Sequence, residues 1–180
     1  GAERIYVGSF EEFGYFERDE TNKLCYHSLK GLVKDYTFRN DEIWTIHQLN
    51  DKLFFQSFSS YFVYNEKTRS IDSYKPYPAP LYFFNVEGTL YAQFIDENFY
   101  KYDGRDFKLL LTRERMNDDF IVSALPFQGK LLLVTSKSGI YSFDSRTSQL
   151  SRFPTAIDSK LNTAIVNRTA LLPDSVLIIG

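Results

Sequence analysis

Four tight turns recur at one place in a repeating pattern: Asn50-Asp51, Glu87-Gly88, Gln128-Gly129 and Pro173-Asp174. Each follows an apolar stretch and leads into a second one, Leu53-Phe54-Phe55, Leu90-Tyr91, Leu131-Leu132-Leu133-Val134 and Val176-Leu177-Ile178-Ile179. The first residues of these runs are 37, 41 and 45 positions apart. Periods of this size with several short strands per period describe stacked units, and four strands per unit describe a β-propeller.

Within each unit a third apolar run ends in an aromatic: Tyr61-Phe62-Val63-Tyr64, Phe99-Tyr100-Lys101-Tyr102 and Ile140-Tyr141-Ser142-Phe143. A second turn follows, beginning at Asn65, Asp103 and Asp144, residue types that close tight turns with their own side chains. A fourth strand near 70–74, 107–111 and 148–152 completes the unit. On the same ruler Ile5 matches Leu53, so residues 4–9, 13–17 and 25–29 are expected as second, third and fourth strands of a unit lacking its first. Residues 162–167 and 176–179 are expected as the first two strands of another. The expected fold is all-β: residues 1–180 form a partial propeller. Whole blades span 42–74, 81–111 and 120–152, and partial blades 4–29 and 162–180.

Composition narrows the function classes. Charged residues make up 24% and the net charge is −2 with no basic run, which argues against a nucleic-acid groove. No apolar run reaches the ~20 residues of a membrane-spanning helix, so no membrane insertion by this chain is expected. Aromatics reach 17%, and most are expected to fill the spaces between blades. One cysteine, Cys25, allows neither an internal disulfide nor a cysteine-based zinc site, and is expected as a buried, inert thiol. His27 and His47 fall on different blades, so neither metal nor cofactor is expected.

Carboxylates are the remaining catalytic candidates. Asp41-Glu42, Asp118-Asp119 and Asp158 precede expected first strands, where propeller glycosidases place their acids, but Pro78-Ala79-Pro80 breaks the set in the middle blade. Aspartate is also an ordinary turn former, and no catalytic residue is assigned. Ligand contacts are instead expected from the loops after the second strands and from the connections between blades, which share one propeller face. The set is Glu11, Glu12, Arg39, Ser59, Asp96 and Asn98.

Two stretches carry a resemblance. They are Arg4-Ile5-Tyr6-Val7-Gly8-Ser9-Phe10-Glu11-Glu12-Phe13-Gly14-Tyr15-Phe16 and Asn40-Asp41-Glu42-Ile43-Trp44-Thr45-Ile46, the latter followed by residues 54–64. Together they resemble the N-terminal propeller of bacterial two-component-type regulators: hybrid sensor histidine kinases and helix-turn-helix regulators that carry a Y_Y_Y domain. The resemblance implies a periplasmic sensory region, partnered by further propeller blades and a Y_Y_Y-type domain, and an oligosaccharide ligand. A propeller enzyme acting on glycans and a pure interaction scaffold are the alternatives.

Overall fold

The computed structural model describes residues 3–96, 98–172 and 176–180, and the turn expected at Pro173-Asp174 lies outside them. Strands β1 (Ile5–Ser9), β2 (Glu12–Arg18) and β3 (Leu24–Ser28) form a three-stranded sheet. Three four-stranded sheets follow in chain order. The first holds β4 (Thr45–Leu49), β5 (Lys52–Gln56), β6 (Tyr61–Asn65) and β7 (Ser70–Tyr74). The second holds β8 (Pro80–Val86), β9 (Thr89–Phe94), β10 (Phe99–Tyr102) and β11 (Phe107–Leu111). The third holds β12 (Ile121–Phe127), β13 (Lys130–Thr135), β14 (Ile140–Asp144) and β15 (Gln149–Arg152). A two-stranded sheet of β16 (Thr169–Leu171) and β17 (Leu177–Ile179) comes last.

Every sheet runs in sequence order, which is the up-and-down meander of propeller blades, and none closes on itself. The sheets are called blades one to five below. The chain divides into two compact units, residues 1–83 and 84–180, with the division inside β8.

Local chemistry sets the hairpins. Glu87 and Gly88 both take positive φ, as do Gln128 and Gly129. Two successive left-handed residues match the twist of the strands that they join. The outer hairpins close through one repeated device. Asn65 Oδ1 accepts the Lys67 and Thr68 N–H, Asp103 Oδ1 the Arg105 and Asp106 N–H, and Asp144 Oδ1 the Arg146 N–H, all at 2.8–3.2 Å.

Packing between consecutive sheets also repeats. The residue three places into each second-strand run faces the residue ten places before the next such run. A Cβ on Gly8 would collide with the Ile43 side chain, Gln56 bonds Pro80, and Gln93 bonds Ile121. Val134 shares a buried cluster with Val166. The first unit buries Phe13, Leu53, Phe55, Phe62 and Tyr64 together, and the second buries Val86, Tyr91, Phe99, Leu133 and Phe143. Burial of large aromatics at about 25 cal/mol per Å² makes these seams the main stabilising surfaces.

Two expectations are corrected. Residues 162–167 are not a strand: α1 (Asp158–Leu161) occupies the approach, and the strand begins at Thr169. The cause is a turn closed by a side chain ahead of the helix, in which Thr155 donates its Oγ1–H (2.6 Å) and its backbone N–H (3.0 Å) to Asp158 Oδ1. Cys25 is half-buried rather than buried. Its thiol sits 3.4 Å from Asp19 Oδ2, and that carboxylate raises the thiol pKa.

Candidate functional site

Asp41 organises the loop end of blades one and two. It is buried, and its carboxylate accepts hydrogen bonds from Tyr36 Oη (2.8 Å), Ser57 Oγ (3.2 Å) and the Arg39 N–H (2.9 Å). Its carbonyl accepts the Glu11 N–H at 2.7 Å. Tyr36 Oη also meets Ser60 Oγ at 2.7 Å, and burial raises the Tyr36 pKa. Asp41 thus ties three segments together: its carboxylate holds the connection between blades and the blade-two loop, and its carbonyl holds the blade-one loop.

Asp119 does the same work in blade four. Its Oδ1 accepts the Phe120 N–H at 2.8 Å, and its Oδ2 accepts the Lys137 and Ser138 N–H, both at 2.7 Å. Asp41 and Asp119 both stand twelve residues before the run that opens the second strand, and Pro78 holds that place in blade three. There the loop closes itself, because Asp96 accepts from the Asn98 N–H (3.1 Å), Asn98 Nδ2 (2.9 Å) and Tyr100 Oη (2.9 Å). The third acidic candidate, Asp158, opens α1, and its Oδ1 accepts the Thr155 N–H and Oγ1–H just ahead of the helix. All three carboxylates are engaged in holding backbone.

The expected ligand residues divide. Glu11, Arg39 and Ser59 gather around Asp41. Glu11 Oε1 accepts the Asn40 N–H at 2.8 Å, Arg39 is exposed, and Ser59 Oγ lies 3.4 Å from Ser60 Oγ. Glu12 does not join them. It turns to its own blade, where Oε1 accepts from Tyr26 Oη (2.8 Å), Ser28 Oγ (2.7 Å) and the Phe13 N–H (3.0 Å). Burial, then this carboxylate, pushes the Tyr26 pKa up to about 12. Asp96 and Asn98 belong to the second unit, where Asn98 Oδ1 also accepts the Arg113 N–H at 2.9 Å.

Aromatics of the same loops and connections, outside the expected ligand set, stand at the loop end of the first unit. Phe10 is 59% exposed and bridges Glu42 through the backbone. Phe58 is 64% exposed and lies parallel to Trp44, with ring centroids 5.6 Å apart and planes at 13°. Tyr77 is 99% exposed. A register signal was present: Phe10 and Phe58 each fall five residues after the start of the second-strand run. In the second unit a cleft of about 410 Å³ lies beside Asp119, Lys137, Ser138 and Ile165. Among the described residues, no group of three His, Cys, Asp or Glu side chains is placed to hold a metal ion, and no helix is long and apolar enough to cross a membrane.

The sequence matches no family model, and no curated protein is significantly similar to it. Solved structures do match in fold. The extracellular domain of a one-component system from B. thetaiotaomicron aligns with TM-score 0.66 and 14% identity over 98% of this chain and 23% of that one. The extracellular domain of a hybrid two-component system from the same organism aligns with TM-score 0.65, 14% identity and coverage of 98% and 24%. BamB from Moraxella catarrhalis follows at TM-score 0.59 and 8% identity, over 98% of this chain and 51% of BamB. The chain spans about a quarter of the length of the two B. thetaiotaomicron domains, and what it has in common with them is the blade fold.

Proposed function

We propose that this chain is a non-catalytic, ligand-binding part of the extracytoplasmic sensory region of a two-component-type regulator. In this reading it lies in the periplasm, adjoins further blades and a Y_Y_Y-type domain, and responds to a glycan. The observation that carries the reading is the loop end of blades one and two. Glu11, Arg39 and Ser59 are held there on a rigid Asp41 hub, and the exposed rings of Phe10 and Phe58 belong to the same loops. Aromatic faces beside hydrogen-bonding side chains suit a polar ligand with apolar C–H surfaces. The likeness to extracellular domains of one- and two-component systems supports the same reading. Sensing requires only that the ligand bind one state of the parent protein better than another, so modest affinity suffices.

The enzyme alternative needs a free acid and base flanking a glycosidic bond. Asp41 and Asp119 have their oxygens committed to loop donors, which favours the non-catalytic reading. Titration calorimetry against neutral and acidic oligosaccharides, run beside glycosidase and lyase assays, tests both. Binding weakened several-fold by Arg39→Ala or Ser59→Ala is the expected result. Turnover that disappears in Asp41→Asn would overturn the non-catalytic reading. Binding indifferent to Arg39 and Ser59 would remove the site assignment and favour a scaffold.

A further inference from the structure

Blades two and three carry glutamine at the same register, Gln56 and Gln93, and the two make different bonds. Gln93 is fully engaged. Its Oε1 accepts the Ile121 N–H at 3.0 Å, and its Nε2 donates to the carbonyls of Phe94 (3.0 Å) and Asn98 (3.3 Å). Gln56 cannot repeat this. The residue at the register of Ile121 is Pro80, which has no N–H to give. Gln56 therefore turns its amide and donates Nε2–H to the Pro80 carbonyl at 3.3 Å. That carbonyl can only accept, which fixes the orientation of the amide. Gln56 Oε1 is left without a partner on a side chain that is 0% exposed.

A second orphan lies beside it. Trp44 donates its backbone N–H to the Gln56 carbonyl at 3.1 Å, and its indole Nε1 is buried with no partner. Both side chains reach the start of β8, Gln56 at Pro80 and Trp44 edge-on to Tyr82 with centroids 5.8 Å apart. Phe58 lies parallel over the indole and is mostly exposed. Buried polar groups nearly always find partners, so an unmatched donor and acceptor on hydrogen-bonded neighbours are unusual.

We propose that Trp44 and Gln56 form a hydroxyl-recognition subsite for a neutral saccharide, entered when the Phe58 ring swings off the indole. This deepens the sensory reading and rests on it. A hydroxyl both donates and accepts, so it can serve Gln56 Oε1 and Trp44 Nε1, singly or as a neighbouring pair on one sugar ring. A carboxylate or a fully ionised phosphate has no hydrogen for Oε1, and an ammonium has no lone pair for the indole N–H. The displaced Phe58 and the indole then present aromatic faces to the C–H face of the ring.

Trp44 is the only tryptophan of the chain, so its emission reads the subsite directly. The chain is titrated with cellotetraose, xylotetraose, mannotetraose and maltotetraose, by fluorescence and by calorimetry. At least one is expected to shift the emission. Pro80→Ala restores an N–H for Gln56 Oε1 and alters no aromatic ring, so it is expected to weaken that binding tenfold or more while the protein stays folded. Trp44→Phe keeps a ring, loses the donor, and is expected to weaken the calorimetric binding similarly. Calorimetric binding that answers to Arg39→Ala and Ser59→Ala but not to Pro80→Ala or Trp44→Phe overturns the subsite and leaves the loop-end reading standing. Equal displacement by tetraalanine overturns saccharide recognition in favour of a peptide. Neither heat nor emission change with any of the four sugars overturns the subsite, and, when the acidic oligosaccharides are silent too, the loop-end reading with it.

Discussion

Asp119 accepts three backbone N–H groups while buried, so its removal strands donors away from water. Each charge-assisted bond of this kind contributes about 1.5–3 kcal/mol, and orphaned partners add to the loss. Asp119→Ala is expected to destabilise the fold by about 3 kcal/mol in urea titration, with Asp119→Asn losing less, because an amide oxygen can still accept. His47 supplies the pH dependence. Burial lowers its pKa to about 4, and its Nε2 meets Thr45 Oγ1 at 2.8 Å. Unfolding restores a pKa near 6.5, so the unfolded chain binds the extra proton. The His47 contribution is whole above pH 6.5 and is lost as pH falls from there through about 4, up to about 3 kcal/mol. His47→Gln should flatten stability across that window, and an unchanged slope would refute the assignment. At this scale the sequence shows where the aspartates recur but not their task. A cap and a catalytic acid have the same spacing, and only the amides folded against Asp41 and Asp119 distinguish them.

Hairpins were legible because they are local. A two-residue turn, the alternation on either side of it and the Asx closure at Asn65, Asp103 and Asp144 all lie within a few residues. Gly88 and Gly129 sit at φ +73° with nothing within 4 Å of an added Cβ, so replacement by alanine tests backbone conformation alone. Each Gly→Ala change is expected to cost about 1 kcal/mol by thermal melting, with the blade register unchanged. The approach to β16 was misread for a reason of the same scale. Thr155 and Asp158 stand at capping-box spacing, but the apolar residues after them fit a strand equally well, and one short helical turn leaves no periodic trace. The seams between blades were less legible still. Gln56 with Pro80 and Gln93 with Ile121 become partners only once the repeat is folded and consecutive units are laid side by side.

On the scale of the whole molecule, the apolar pattern of β17 has consequences for association. Leu177 and Ile179 pack toward the cluster of Leu132, Val134 and Ile140, whereas Val176 and Ile178 are about half exposed. Among the described residues, β17 pairs with β16 alone, so the strand offers an open edge as well as an apolar outer face. Leu172, whose N–H donates to the Val176 carbonyl at 2.8 Å, extends that face. An open edge with exposed aliphatics templates pairing with another strand, and natural sheets block it with charge. The β17 segment, Leu177-Ile178-Ile179, has none. The 180-residue chain is therefore expected to self-associate at micromolar concentration through this edge. Ile178→Lys places a charge on the outer face without entering the cluster, and is expected to weaken association at least tenfold while leaving the melting temperature within a few degrees. Sedimentation velocity over a concentration series reads both proteins. A wild-type chain that stays monomeric across the series, or an Ile178→Lys variant that associates equally well, would place the contact elsewhere or remove it.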